Sequence, residues 1–597
     1  MSKDKKSIFS PSVTFKNLFK KPETVRTPYE SKKTAERYRG FHINDLDKCI
    51  GCGTCSEICD NEAITMVKLK DVKTELGQTN ERPKIDYGRC CWCGLCVDIC
   101  TTGSLEFTQD YIYIDDDPDS FSYLPDNRNI NKVEFEKGYK RDENSELLDL
   151  DRIKMKELSP EKRVQSFVEI VEGFSKKQAE KEASRCVECD ICTEACPASM
   201  NIPEYIRGIF DNDLDESLKQ IYEDNPLPEV CGRICTHKCE TICSIGHRGE
   251  AISIRWLKRY AVDNVDSAEY KKVLGTQKID QINKKVAIIG SGPAGLSAAH
   301  YLKLMGYEIT IFESEEKAGG MMRYGIPEYR LPYDMLDKDI NYIKSLGVNF
   351  KFNTRVGEDI SMTEIENNYD AVFAATGLHN GRSTRIPGTD HNNVYQAIYL
   401  LKKITRGEKI PFTERIAVIG GGNVAMDIAR SLARLQKQEF GKVNVLVTSL
   451  ETEDIMPADE EEIDEARDEG VRFEPGRGPK EIKVNEDGSI AQLCTNCCVS
   501  VFDEEMNFSP SFDDDDIKNF DCDMVVEAIG QAGDNSYIDD IYDIEYEGPR
   551  IKVNEKQQTS LPWLFAGGDI VQGPDVITGI KTGHDAAVGI DEYLNKK

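Results

Sequence analysis

Two glycine-rich turns and four tight runs of cysteine predict a multidomain chain. It should comprise an α+β cysteine-rich domain, an α-helical cysteine-rich domain and two α/β Rossmann-like nucleotide-binding domains. The first turn lies in VAIIGSGPAGLSAAHYLKLMGYEITIFE, Val286 to Glu313. Val286 to Ile289 reads as a buried parallel strand, and Leu296 to Leu302 begins an apolar helix. Between them Gly290, Gly292 and Gly295 form G-x-G-x-x-G. The first glycine permits the tight turn, the second lets backbone approach a pyrophosphate, and the third lets helix and strand pack closely. A second strand, Ile309 to Phe312, ends at Glu313, an acid placed to bond a ribose hydroxyl. The second turn follows the strand Ile416 to Ile419, where Gly420, Gly422 and Ala425 give G-x-G-x-x-A before a helix from Met426.

The 597 residues leave room for roughly three to five domains. A formal net charge of -30 makes nucleic acid and anionic membrane surfaces poor partners. No apolar run is long enough to span a bilayer, and the Lys-rich start lacks a signal-peptide core, so no membrane insertion and a cytoplasmic location are expected. In a reducing compartment 21 cysteines read as metal ligands before disulfides.

Cys49, Cys52, Cys55 and Cys59 follow C-x2-C-x2-C-x3-C, and Cys90, Cys93, Cys96 and Cys100 repeat it. In two-cluster ferredoxins the fourth cysteine of each run ligates the other cluster. One 4Fe–4S cluster should therefore take Cys49, Cys52, Cys55 and Cys100, and the second Cys90, Cys93, Cys96 and Cys59. Structural zinc is the rival, but its sites usually pair C-x2-C knuckles. Cys91 falls off the pattern. Asp60 and Thr101 stand where proline usually follows such a run. A second field holds Cys186, Cys189, Cys192 and Cys196, then Cys231, Cys235, Cys239 and Cys243, enough thiols for two more clusters.

Residues 18–105, with NLFKKPETVRTPYE, ERYRGFHI and DKCIGCGTCSEIC, resemble the two-cluster ferredoxin-like subunit of complex I-type dehydrogenases. That resemblance implies docking within an electron-transfer assembly. The motifs EASRCVECDICTEACP, NPLPEVCGRICTHKCETIC, GGMMRYGIPEYRLP and IAVIGGGNVAMDIAR, within residues 138–592, resemble the small subunit of NAD(P)H-dependent glutamate synthase and its relatives, among them NAD(P)H:ferredoxin oxidoreductases and dihydropyrimidine dehydrogenase. This second resemblance implies one cluster on Cys186, Cys189, Cys192 and Cys243, and another anchored by Cys196, Cys235 and Cys239. The family often completes the latter with Glu or Gln, where this chain has Lys258; Cys231 is the substitute candidate. The same resemblance implies FAD at the first turn, with Gly319, Gly320 and Arg323 in a flavin-side loop. It puts Ala375-Thr376-Gly377 near the cofactor and Asp569 of FAGGD on the ribitol.

The expected order is an extension (1–40), a 2x[4Fe–4S] ferredoxin domain (41–110), a linker with Pro118 and Pro125 (111–145) and a helical Fe–S domain (146–280). An FAD domain follows in two parts (281–395 and 535–597), with the NAD-binding domain (396–534) inserted between them. Val443 through Ala466 contains no Lys or Arg to hold a 2′-phosphate, while Glu451 can accept from ribose hydroxyls, so NADH is preferred over NADPH. Cys494, Cys497 and Cys498 suggest a redox pair, but AQLCTNCCVSVF alternates as a strand does, and the acidic run Asp513 to Asp516 reads as a solvated loop.

The expected function is electron transfer between NADH and a ferredoxin or partner redox subunit, through FAD and four [4Fe–4S] clusters. A 2-oxoacid oxidoreductase, hydrogenase or formate dehydrogenase subunit would each fit, in a hetero-oligomer. Hydride transfer needs no side-chain acid or base, so no catalytic residue is named. The alternatives are a glutamate synthase small subunit and a non-enzymatic wiring subunit of a larger, bifurcating complex.

Overall fold

The computed structural model describes residues 15–123 and 137–596, apart from residues 16, 28, 31 and 71. The chain divides into two compact units. Residues 1–150 form the first, joined by Val187–Cys189 and His247–Glu250; the remainder forms the second.

In the first unit β1 (His42–Asn44) pairs antiparallel with β4 (Leu105–Phe107), and β2 (Ile64–Lys68), β3 (Glu81–Asp86) and β5 (Ser122–Tyr123) form a second small sheet. Each cysteine run ends in a one-turn helix, α1 (Thr54–Glu57) and α2 (Leu95–Asp98). Ile64, Ile85, Leu105, Phe107 and Tyr123 close the core around the thiols. Part of the stretch expected as a linker packs here instead. Tyr123 and Tyr139 are 1% and 4% exposed, and their hydroxyls bond Asn44 N and Asp98 Oδ1, each at 3.0 Å. Burying two tyrosine rings outweighs the local polarity that suggested a connector. Pro118 opens a 3-10 turn, whereas Pro125 lies outside the described residues, as does residues 1–14 of the extension.

The second unit opens with helices α3 (Lys176–Ala183), α4 (Ile202–Phe210), α5 (Leu214–Asp224), α6 (Pro228–Ile234) and α7 (Ile254–Asp263). Proline sits in the first turn of α4 and α6, where no backbone donor is lost. A capping box of Ser175 and Gln178 starts α3. A sheet then begins with β6 (Lys285–Ile289), helix α8 (Pro293–Leu304), β7 (Glu308–Phe312), β8 (Asn349–Lys351) and β9 (Ala371–Ala374).

The chain leaves that sheet to build another from β10 (Val394–Gln396), β11 (Ile416–Ile419), α9 (Asn423–Phe440), β12 (Val445–Thr448), α10 (Glu460–Asp468) and β13 (Arg472–Glu474). An antiparallel meander follows, β14 (Arg477–Val484), β15 (Ile490–Phe502) and β16 (Phe508–Asp521), before β17 (Met524–Glu527). It returns with β18 (Leu564–Ala566) and helix α11 (Val576–Asn595). The two parallel sheets run β18-β9-β6-β7-β8 and β10-β17-β11-β12-β13. Because β18 pairs with β9, the second Rossmann-like fold is an insertion in the first. The acidic run is a bulge within a strand: Cys497 pairs with Asp513 and Asn496 with Ile517, leaving Asp514 to Asp516 looped out. Among the described residues no helix is long and apolar enough to cross a membrane.

Candidate functional site

In the first unit cysteines of both runs share one core, although among the described residues no group of three or more His, Cys, Asp or Glu stands ready to hold a metal ion. Burial raises the Cys55 thiol pKa, and its strongest charged neighbours are Cys52, Cys100 and Cys49. Burial likewise raises Cys96, whose neighbours are Cys90, Cys93 and Cys59. Cys100 of the second run thus influences Cys55 of the first, as does Cys96, and Cys59 of the first run influences Cys96. Backbone amides already point at sulfur, Ala63 N at Cys59 Sγ (3.3 Å) and Trp92 N at Cys90 Sγ (3.4 Å). The Cys100 Sγ has the Ser104 hydroxyl at 3.5 Å, which helps hold its pKa below the ordinary thiol value despite burial. Such donors suit sulfur ligands of a cluster. Cys91 is exposed.

A backbone signature recurs in three runs. The residues before and after the second cysteine are left-handed: Gly51 and Gly53, Trp92 and Gly94, Glu188 and Asp190, with φ between 52° and 90°. Three of these six are not glycine, at a strain of about 1–2 kcal/mol each. The third example, at Glu188 and Asp190, has no glycine at either position.

In the second unit Cys231 (0% exposed) and Cys235 lie at the buried end of α6, four residues apart. Cys239 lies in the short helix after left-handed His237, and Cys196 caps the helix Ile191–Ala195. Buried Lys258 on α7 sits among them. Burial pulls its ammonium pKa down, but Cys235, Cys231, Cys196 and Cys239 outweigh burial and the net shift is upward. Thr193 Oγ1, Thr236 Oγ1 and His237 Nδ1 are buried nearby in sequence without a hydrogen-bond partner. Such unsatisfied buried polar atoms fit a site that accepts a further polar group. Cys186 and Cys192 belong to this unit with Cys243, whereas the loop carrying Cys189 is grouped with the first.

At the first glycine turn, a Cβ on Gly290 would meet Ala375 O at 2.5 Å and one on Gly295 would meet Gly290 O at 2.0 Å. A Cβ on Gly292 would meet nothing within 4 Å. The outer side of the turn is clear, as a dinucleotide pyrophosphate requires, while its inner side is filled. Glu313 is 6% exposed, and its carboxylate accepts from Ser291 N at 3.0 Å, from the Ser291 hydroxyl and from Glu315 N at 2.8 Å. Gly320 closes on the turn, where its Cβ would stand 2.8 Å from Gly292 Cα. Arg323 points inward, Nε donating to Ala318 O at 2.7 Å and the guanidinium pairing with Asp337, so it shapes the loop. Thr376 Oγ1 lies 3.4 Å from the Tyr537 hydroxyl, and Gly377 is left-handed. Asp569 follows β18, and burial, augmented by Asp575 and opposed by Arg550, pushes its carboxyl up to about 6.

The second turn repeats the pattern. Gly420 takes φ +144° with Ala528 O where a Cβ would go, Gly422 faces open space, and Ala425 is fully buried. Glu451 reaches this turn, since a Cβ on Gly421 would lie 2.9 Å from its Oε2. Arg477 arrives through backbone, its N donating to Ser449 O at 2.7 Å, but its side chain turns to Asp516 and Thr495. Cys494 and Cys497 are three apart on β15, hence on opposite strand faces, which keeps them from pairing.

Sequence reading missed the residues that lock α9. Arg330 Nη1 bonds both carboxylate oxygens of Asp427, its Nε reaches Glu462 at 2.8 Å, and the Tyr329 hydroxyl donates to Asp427 O at 3.2 Å. Arg430 and Arg434 bind Glu469, and Arg430 also binds Glu462. The signal was present in the quoted YRLP and AMDIAR motifs, without any indication that they meet. Buried Glu527, ending β17, collects Thr384 N at 2.8 Å, Thr389 Oγ1 at 3.0 Å and Gln396 Nε2 at 2.6 Å.

Comparison with known proteins matches residues 284–587 to the pyridine nucleotide-disulphide oxidoreductase family. Residues 163–270 match dihydropyrimidine dehydrogenase domain II, 4Fe-4S cluster, and residues 48–104 match the 4Fe-4S dicluster domain. The chain is 38% identical over 430 residues to the NADP(+)-dependent formate dehydrogenase subunit beta of Moorella thermoacetica, covering 68% of this chain and 60% of that one. It is 31% identical to the glutamate synthase [NADPH] small chain of Escherichia coli K12, covering 75% and 98%. It is 32% identical to the NAD-dependent dihydropyrimidine dehydrogenase subunit PreT of the same strain, covering 71% and 97%. Among solved structures FprA from Mycobacterium tuberculosis is similar, with a TM-score of 0.47 and 18% identity over 52% of this chain and 85% of that one.

Proposed function

This chain belongs to the pyridine nucleotide-disulphide oxidoreductase family, and from that premise we propose that it passes electrons between NADH and a ferredoxin or partner redox subunit through one FAD and four [4Fe–4S] clusters. It is an NAD(P)H-dependent FAD and iron–sulfur oxidoreductase. The observation carrying the proposal is the pair of dinucleotide turns, each open on its outer side at Gly292 and Gly422, in a chain that also matches two 4Fe-4S families.

Bound FAD and clusters supply the conversion between two-electron hydride chemistry and single-electron transfer. The chain's task is to hold and orient them. Gly290, Gly292 and Gly295 with Glu313 seat the flavin dinucleotide, Gly320, Thr376 and Gly377 border it, and Asp569 takes its ribitol. Gly420, Gly422 and Ala425 seat the nicotinamide dinucleotide. Glu451 above that turn favours the ribose diol of NADH and repels a 2′-phosphate, and the arginine at the same strand end, Arg477, is already paired. Named relatives use both nucleotides, so preference belongs to such local residues.

The match spans about three fifths of the Moorella relative, whose name makes it a formate dehydrogenase subunit. That likeness favours a formate dehydrogenase-type partner in a hetero-oligomer over the other acceptors considered. Similarity to the glutamate synthase small chain supports a second reading, for which glutamine-dependent NADH oxidation with 2-oxoglutarate is the test.

Protein purified without oxygen should carry one FAD and about sixteen irons per chain. Its KM for NADH should be lower than that for NADPH. Iron near half that value, or the opposite nucleotide preference, overturns the corresponding part.

A further inference from the structure

The chain passes between its two parallel sheets twice, from β9 to β10 and from β17 to β18. The two legs touch as a ribbon of two residue pairs, Asn380 with Ala532 and Gly381 with Gln531. Arg382 N closes it by donating to Gly530 O at 3.0 Å. So short a two-stranded ribbon is soft and cannot by itself fix how one sheet lies against the other. Side chains do so instead. From the first nucleotide fold Arg330 bonds Asp427 and Glu462, and Glu315 pairs with Lys402 at 3.1 Å and with Arg406. From the segment before α3, Arg163 Nη2 reaches Asp468 at 3.1 Å and its Nε reaches Glu469 at 3.3 Å. The same segment accepts Arg434 Nε on Ser166 O and Gln438 Nε2 on Gln165 O, each at 3.0 Å. Its Ile170 N donates to Tyr329 O at 3.3 Å, which ties it to the Arg330 loop as well. From α7, Arg255 Nη2 reaches Glu461 at 2.6 Å. Three separate stretches of chain thus grip α9 and α10 of the inserted domain. Arg163, Asp427, Arg434 and Glu469 are buried, so salt competes weakly for these bonds.

We propose that Arg163 and Arg330 are positioning residues: they clamp the inserted domain in the orientation seen here, and hydride passes from NADH to FAD in that orientation without a domain rotation. The inference rests on the reading that each glycine turn seats its dinucleotide. In that step the hydride carries both electrons from one dinucleotide to the other, and nothing else is consumed. Donor and acceptor belong to different domains, so the angle between the domains sets their approach. A misplacement of about 1 Å costs on the order of 100-fold in rate. Rotation would part Asp427 from Arg330 and Glu469 from Arg163, and buried carboxylates with fewer cations are costly.

The test uses the full-length protein isolated without oxygen. It reads amide hydrogen exchange at the ribbon, residues 380–384 and 530–534, beside flavin bleaching after rapid mixing with NADH. In wild type the ribbon should exchange no faster with saturating NADH than without it. Arg163→Met still leaves Glu469 with Arg430 and Arg434, so the fold should persist. Its ribbon should exchange about tenfold faster. Its limiting bleaching rate should fall by about tenfold or more, while FAD content and the NADH concentration for half-maximal rate hold. Arg163→Lys should recover part of both losses. Arg330→Lys, whose point charge cannot serve Asp427 and Glu462 together, should show smaller changes of the same sign. Wild-type ribbon exchange that quickens when NADH binds means that the domain turns, and overturns the proposal. Unchanged exchange and rate in Arg163→Met and Arg330→Lys overturn it too. Faster exchange with an unchanged bleaching rate leaves a structural role alone and overturns positioning. Failure of the dinucleotide reading would instead appear in wild type, as flavin that NADH never bleaches.

Discussion

Arg330 Nη1 sits 2.9 and 2.8 Å from the two carboxylate oxygens of Asp427, a residue 97 positions later on the helix of the second dinucleotide turn. Burial, opposed chiefly by this arginine, pushes the Asp427 carboxyl up to about 6. Arg330→Ala would leave Asp427 buried without its paired cation and Glu462 with Arg430 alone. We expect a loss of about 3–5 kcal/mol, read as a lower denaturation midpoint. Arg330→Lys should recover only part, because a point charge cannot serve Asp427 and Glu462 together.

The two glycines of the first turn should fail in different ways. Gly292→Ala puts a methyl into space free of protein, so the apoprotein should keep its stability while retaining little FAD. Gly295→Ala drives a methyl against Gly290 O, 2.0 Å away, so folding itself should suffer. Thermal melts of apoprotein beside flavin content of fresh protein separate the two.

Glu451→Ala should raise KM for NADH by about 10-fold or more, the worth of a hydrogen bond to a charged group of about 1.5–3 kcal/mol. KM for NADPH should fall or hold, since a carboxylate facing a phosphate is removed. Steady-state kinetics with both nucleotides checks the sign of each change.

Asp569 makes a pH prediction. Its folded carboxyl titrates at about 6, above the ordinary 3.8. The folded apoprotein therefore binds the extra proton, so this group's stabilising contribution is present below pH 3.8 and is lost as pH rises through about 6. Asp569→Asn should flatten that slope in urea melts between those pH values and leave apoprotein at pH 7 no less stable. FAD should be retained less well, because the ionised acid is the better acceptor for a ribitol hydroxyl.

Short-range chemistry was legible in the sequence, and long-range packing was not. The spacing of Cys49 to Cys59 and of Cys90 to Cys100 is local, and it marks the segment that matches the 4Fe-4S dicluster domain. Strand, glycine turn and helix are likewise local. The pairing of Arg330 with Asp427 spans 97 residues, and no periodicity announces it. Tyr123 and Tyr139 looked like parts of a connector because their neighbours are Asp and Asn, yet two buried rings decide where that stretch packs. The bulge at Asp514 to Asp516 hides in a strand that charge patterning marks as loop.

Anaerobic titration of the reconstituted protein with NADH, following flavin absorbance and cluster EPR together, tests the central claim most directly. The account predicts flavin bleaching by NADH at lower concentration than by NADPH, with reduced-cluster signals from more than two centres. Unbleached flavin with either nucleotide would contradict it and leave a wiring subunit in its place.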